Sequence, residues 1–87
     1  MKNAIAIVLF LACAPAFAAA NCPKYPKNEW MSEAAAKAKI EAMGYKIDKF
    51  KVDGNCYEIY GVNKEGKKSE VYFDAKTLNV IKAEIRK

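Results

Sequence analysis

The stretch Gly54-Asn55-Cys56-Tyr57-Glu58-Ile59-Tyr60-Gly61 decides the fold. It follows Asp53, and Asp53-Gly54-Asn55 is a hairpin turn, because these residues accept the left-handed backbone that tight turns require. Beyond the turn the chain alternates. Tyr57 and Ile59 share one face, and Glu58, Tyr60 and Val62 share the other. That two-residue period predicts a half-buried strand over residues 56–62. Cys56 stands at its head, so this strand is also where a covalent tie to the rest of the chain would attach.

Three more strands flank it. Residues 45–52 form the strand before the turn, but with a conflict: Tyr45 and Ile47 share one parity, while Phe50 and Val52 share the other. One regular strand cannot bury both pairs, so a bulge near Asp48-Lys49 is expected to reset the phase. After the turn at residues 63–67, residues 68–74 form a strand with Val71 and Phe73 inward and Glu70, Tyr72 and Asp74 outward. After the turn at residues 75–79, residues 80–85 form the last, with Ile81, Ala83 and Ile85 inward. Short links between them make an antiparallel meander.

Before the strands lies one helix. Ser32 is a good N-cap, and Glu33 puts negative charge in the first turn, where the helix dipole favours it. Residues 33–43 are rich in helix formers, and Gly44 ends the run as a left-handed cap. Ala36, Ile40 and Met43 fall on one stripe. Met31 precedes the cap and can fold back on Ala36 as a staple. Residues 21–31 carry Pro23 and Pro26 and read as an extended arm without helix, ending in Trp30, a core or lid residue. The expected fold is α+β: one α-helix packed on a four-stranded antiparallel meander sheet, in α-β-β-β-β order. The domain spans residues 32–87. The other sheet face should be wet, holding Lys46, Lys51, Glu58, Tyr60, Glu70, Tyr72, Lys82, Glu84 and Arg86.

The N-terminus reads as a secretory signal peptide over residues 1–20. Lys2 supplies positive charge, residues 4–14 are an uncharged, largely apolar run, and small residues follow at Ala16-Phe17-Ala18 and Ala18-Ala19-Ala20. Cleavage fits after Ala18 or after Ala20, the latter preferred, with no stable membrane insertion afterwards. Phe10-Leu11-Ala12-Cys13 only loosely matches a lipoprotein cut site, so lipidation of Cys13 is disfavoured. Removal of residues 1–20 takes Lys2 and Cys13 from the 87-residue chain. It leaves fourteen Lys or Arg against ten Asp or Glu, a net of +4, and two cysteines. Cys22 and Cys56 are therefore expected to pair: an even count in an exported chain favours a bond, and a core this small gains from a staple. The location would be periplasmic or secreted.

Trp30-Met31-Ser32-Glu33, Ile40-Glu41-Ala42-Met43-Gly44-Tyr45, Gly54-Asn55-Cys56-Tyr57-Glu58-Ile59-Tyr60 and Glu70-Val71-Tyr72-Phe73-Asp74-Ala75-Lys76-Thr77 together resemble the PepSY domain, in its small exported, single-domain bacterial branch. The resemblance covers nearly the whole chain after residue 20. It departs at Leu78, where the family's Asp-x-x-Thr-Gly ending has glycine. It implies a non-catalytic binding or regulatory module, of a kind found in propeptides of thermolysin-type metalloproteases and in cell-envelope proteins, with a protease or other protein or peptide as partner. It carries no catalytic residues.

The residues point the same way. Histidine is absent, and Ser32 and Ser69, the only serines, belong to a cap and a strand. Glu58, Glu70 and Asp74 could cluster as acid and base, but neighbouring lysines would neutralise them. Two cysteines without histidine make a poor metal set, and no cofactor is implied. Binding to an acidic partner, such as an anionic lipid or polymer, is the alternative that the positive charge permits. The lysines are scattered with no basic run, and export argues against nucleic acid. The proposed contact surface is Tyr60 and Tyr72 flanked by Glu58 and Glu70, with an exposed strand edge as the rival site.

Overall fold

The computed structural model describes residues 20–86. Residues 1–19 of the expected signal peptide, the expected cut after Ala18 and the lipidation alternative at Cys13 lie outside them. Ser32 caps the helix as expected, its Oγ accepting from the Ala35 N–H at 3.2 Å. Helix α1 runs Glu33–Ala42, and strands β1 Lys46–Asp53, β2 Cys56–Val62, β3 Lys68–Asp74 and β4 Val80–Ile85 follow. They form one antiparallel sheet in the order β1-β2-β3-β4. This is the α-β-β-β-β meander read from the sequence. Gly44 has φ 106°, the left-handed cap that turns the chain from helix into β1.

The phase conflict in β1 is resolved by a bulge. The pairing runs Ile47 to Gly61 and then Lys49 to Tyr60, leaving Asp48 as the extra residue. Ile47 and Phe50 thereby both pack on the core. The backbone comes very close here: a Cβ on Gly61 would overlap the Lys46 carbonyl oxygen. Glycine at 61 is what lets the irregular end of β1 cross β2.

The core joins Ala36 and Ile40 of α1 to Tyr57, Ile59, Val71 and Phe73 of the two central strands, with Ala75 and Leu78 below. Trp30 meets the Tyr57 ring edge-on at 5.3 Å, and Tyr45 meets Phe73 at 5.9 Å. Met31 packs against the same cluster, and its carbonyl accepts from the Tyr57 hydroxyl at 2.6 Å.

Three expectations need correction. Met43 is 41 % exposed rather than part of the buried stripe. The inward set of β4 is not buried: Ile81 is 37 % and Ile85 52 % exposed, and Ala83 is exposed as well. Both follow from helix placement. α1 lies on the β1 side of the sheet, so the β4 side has no cover, and a register shift beside Tyr72 leaves Ile81 as an extra residue. The arm, finally, is not wholly extended. Lys27–Glu29 makes one 3-10 turn, which Pro26 permits because it stands just before the turn, where no N–H is needed.

Leu78 takes φ 64°, a left-handed conformation. The turn keeps the geometry glycine would adopt, although leucine occupies it. Its N–H donates to the Asp74 carbonyl at 2.8 Å, and its side chain is buried in the core. Burial of a leucine stabilises by roughly 1.5–3 kcal/mol, more than the 1–2 kcal/mol or so a left-handed backbone costs.

Candidate functional site on the outer sheet face

The hairpin turn and the strict register of β2 and β3 place Cys56 opposite Asp74, Glu58 opposite Tyr72 and Tyr60 opposite Glu70. These side chains point away from α1. Lys51 of β1 flanks Glu58, and Lys82 of β4 flanks Tyr72. The parity read from the sequence is right, but the face is not uniformly wet. Glu58 is 1 % and Tyr72 7 % exposed. The arm closes the end nearest the β1–β2 turn: Cys22 is bonded to Cys56 with Cα atoms 5.3 Å apart, and the Tyr25 hydroxyl donates to Asp74 Oδ2 at 3.1 Å. The long side chains of Lys51 and Tyr72 stand on either flank of Glu58.

The result is a dry polar cluster. The Tyr72 hydroxyl donates to Glu70 Oε2 at 3.1 Å. Lys51 Nζ stays 4.0 Å from Glu58 Oε1, and Glu58 Oε2 is buried with no hydrogen-bond partner. An ionised, underpaired carboxylate is costly there. Burial first, then the adjacent Glu70, pushes the Glu58 carboxyl up to about 7. A protonated Glu58 beside it, the tyrosine hydroxyls and Arg86 hold Glu70 below the usual carboxylate range, against burial, which works to raise it. Burial and the Glu70 hydrogen bond push the Tyr72 phenol well up. Asp74 behaves differently. Burial works to raise it, but the Thr77 and Lys76 N–H groups, at 2.9 and 2.8 Å, outweigh that and lower it.

Tyr60 is the half-buried member of the set. Its ring lies between Lys51, with Nζ 5.6 Å from the centroid, and Arg86, with Cζ 5.1 Å away. The ring forms part of a concavity of about 420 Å³ lined also by Asp48, Lys49, Lys68 and Ser69. Of the four residues expected to form a contact surface, Tyr60 and Glu70 reach its accessible part, while Glu58 and Tyr72 lie beneath. Lys49 and Lys68 were missed as site residues. Their signal is available only through register: Lys49 stands opposite Tyr60, and Lys68 pairs Val62. Among the described residues no group of three or more His, Cys, Asp or Glu is placed to hold a metal ion, and no helix is long and apolar enough to cross a membrane.

The family model described as peptidase propeptide and YPEB domain, a PepSY family, matches residues 2–84. Neither the curated proteins nor the solved structures contain a significant match to this chain.

Proposed function

Since the chain belongs to the peptidase propeptide and YPEB domain family, we propose that it is an exported, non-catalytic module that binds and modulates a peptidase. Membership of that family is the observation that carries this reading, because propeptide domains act by occupying or steering another protein. The bond between Cys22 and Cys56 supports export, since such bonds persist in oxidising compartments. The contact surface is the outer sheet face at Tyr60, an accessible aromatic with a charged surround of Lys49, Lys51, Lys68 and Arg86. Aromatic centres with polar rims suit protein interfaces. The test is to add the oxidised protein to metallopeptidases purified from the same cell envelope and follow their cleavage rates. Slowing that Tyr60→Ser relieves supports the reading. Unchanged rates for every such peptidase would end it.

A second reading has its own observation. Three lysines and an arginine converge on one concavity beside a single aspartate, which suits an acidic partner such as an anionic lipid or polymer. That binding would weaken steeply with salt, whereas an interface centred on Tyr60 would respond weakly.

A further inference from the structure

The two edges of the sheet are built differently. β1 carries the Asp48 bulge and Lys46, Lys49 and Lys51, devices that discourage another strand from adding. β4 ends the sheet on the other side; its one irregularity is the extra residue Ile81 near its start, and residues 82–85 pair β3 in regular register, with Val80 and Ile85 about half exposed. The Arg86 N–H donates to the Lys68 carbonyl at 2.8 Å, and Glu84 pairs Glu70 while Lys82 pairs Tyr72. Bonded and non-bonded pairs alternate along an antiparallel ladder. Arg86, Glu84 and Lys82 therefore turn their backbone groups to β3. Ala83 and Ile85 turn theirs to the free edge.

We propose that two copies of this chain join antiparallel through β4, with the twofold axis passing through Ala83. The run Ile81-Lys82-Ala83-Glu84-Ile85 is its own complement when reversed. Isoleucine meets isoleucine, alanine meets alanine, and lysine meets glutamate. With the axis at Ala83, the outward N–H and C=O of Ala83 meet their counterparts in the second copy as a bonded pair. Ile81 comes opposite Ile85, and Lys82 opposite Glu84, each twice. The charges also select the register. An axis at Lys82 would set lysine against lysine, and one at Glu84 would set glutamate against glutamate. The contact of Lys82 Nζ with Glu84 Oε2 within each chain, at 3.5 Å, is exchanged one for one: two within the copies become two between them. The exposed apolar side chains of β4 gain neighbours, and two four-stranded sheets become one continuous sheet.

The experiment is sedimentation velocity of the purified oxidised protein alone, over a wide concentration range. No peptidase is present, so its outcome is separate from that of the peptidase reading. A reversible monomer–dimer equilibrium is expected. Ala83→Pro removes one outward N–H and leaves the β3 ladder intact, so it should be monomeric with an unchanged far-ultraviolet spectrum. Lys82→Glu and Glu84→Lys should each weaken self-association about tenfold, through like charges placed opposite one another. An equimolar mixture of these two variants should restore it, since each supplies the sign the other lacks. A wild-type chain that stays monomeric at millimolar concentration would overturn the proposal. So would a mixture that associates no better than its components.

Discussion

The two faces of the β2–β3 pair are both dry at their centre, for opposite reasons. Towards α1, Tyr57, Ile59, Val71 and Phe73 interlock with helix and arm in an apolar core. Away from α1, Glu58 and Tyr72 are as well buried, but in a polar cluster where Tyr72 donates to Glu70 and burial favours the protonated form of Glu58. The first face takes its stability from apolar area and is indifferent to acidity. The second is conditional on protonation. A small sheet can thus be closed on both sides without being hydrophobic on both, provided a covalent tie and long side chains exclude water from the polar one.

The largest test of this contrast is Phe73→Ala. It empties the centre of the apolar side and should cost about 3–5 kcal/mol, equally at acid and neutral pH in denaturant unfolding. Cys56→Ser comes next. It frees the arm that closes the polar side, and loop-closure entropy for a separation of 34 residues puts the loss at roughly 3–4 kcal/mol. Reductant should lower the melting temperature of the wild type by a similar amount and leave the variant unchanged.

Glu58→Gln sharpens the comparison through pH. Because the folded-state pKa of Glu58 is raised from 4.5 to about 7, the folded chain binds the extra proton between those values. Its contribution is full below pH 4.5 and is lost as pH rises to about 7. Wild-type stability should therefore fall by about 3 kcal/mol across that window. Glutamine, neutral throughout, should flatten the slope and be the more stable variant at about pH 8. A wild type with no slope there would show that Glu58 titrates normally. The smallest effect belongs to Tyr60→Ser. At this accessible edge of the polar face stability should change by less than about 0.5 kcal/mol, and thermal melting checks that any loss of partner binding is not unfolding.

The fold was largely legible, and even an irregularity was: two incompatible parities in β1 could be reconciled only by an extra residue, and Asp48 is that residue. What alternation cannot reveal is which strands the helix covers. Ile81, Ala83 and Ile85 carry the same pattern whether roofed or bare, and the alanine-rich stripe of α1 did not fix where it would lie. Nor does parity measure water. Glu58 points outward, as read, yet its burial depends on a disulfide arm and on neighbours in three strands. The basic concavity was hidden for the same reason: Lys49, Lys51, Lys68 and Arg86 are dispersed in the chain and meet only through pairing.

The Cys22–Cys56 bond decides what a single peptide-bond cut does to the chain. It closes a covalent ring that contains α1, β1 and both of their connecting turns. A peptide bond cut anywhere inside that ring opens the ring but releases nothing, and the nicked product stays a single molecule with every strand still attached. The turn between β2 and β3, at residues 63–67, has no such insurance. A cut there frees β3 and β4 from covalent attachment and leaves the sheet held by packing alone.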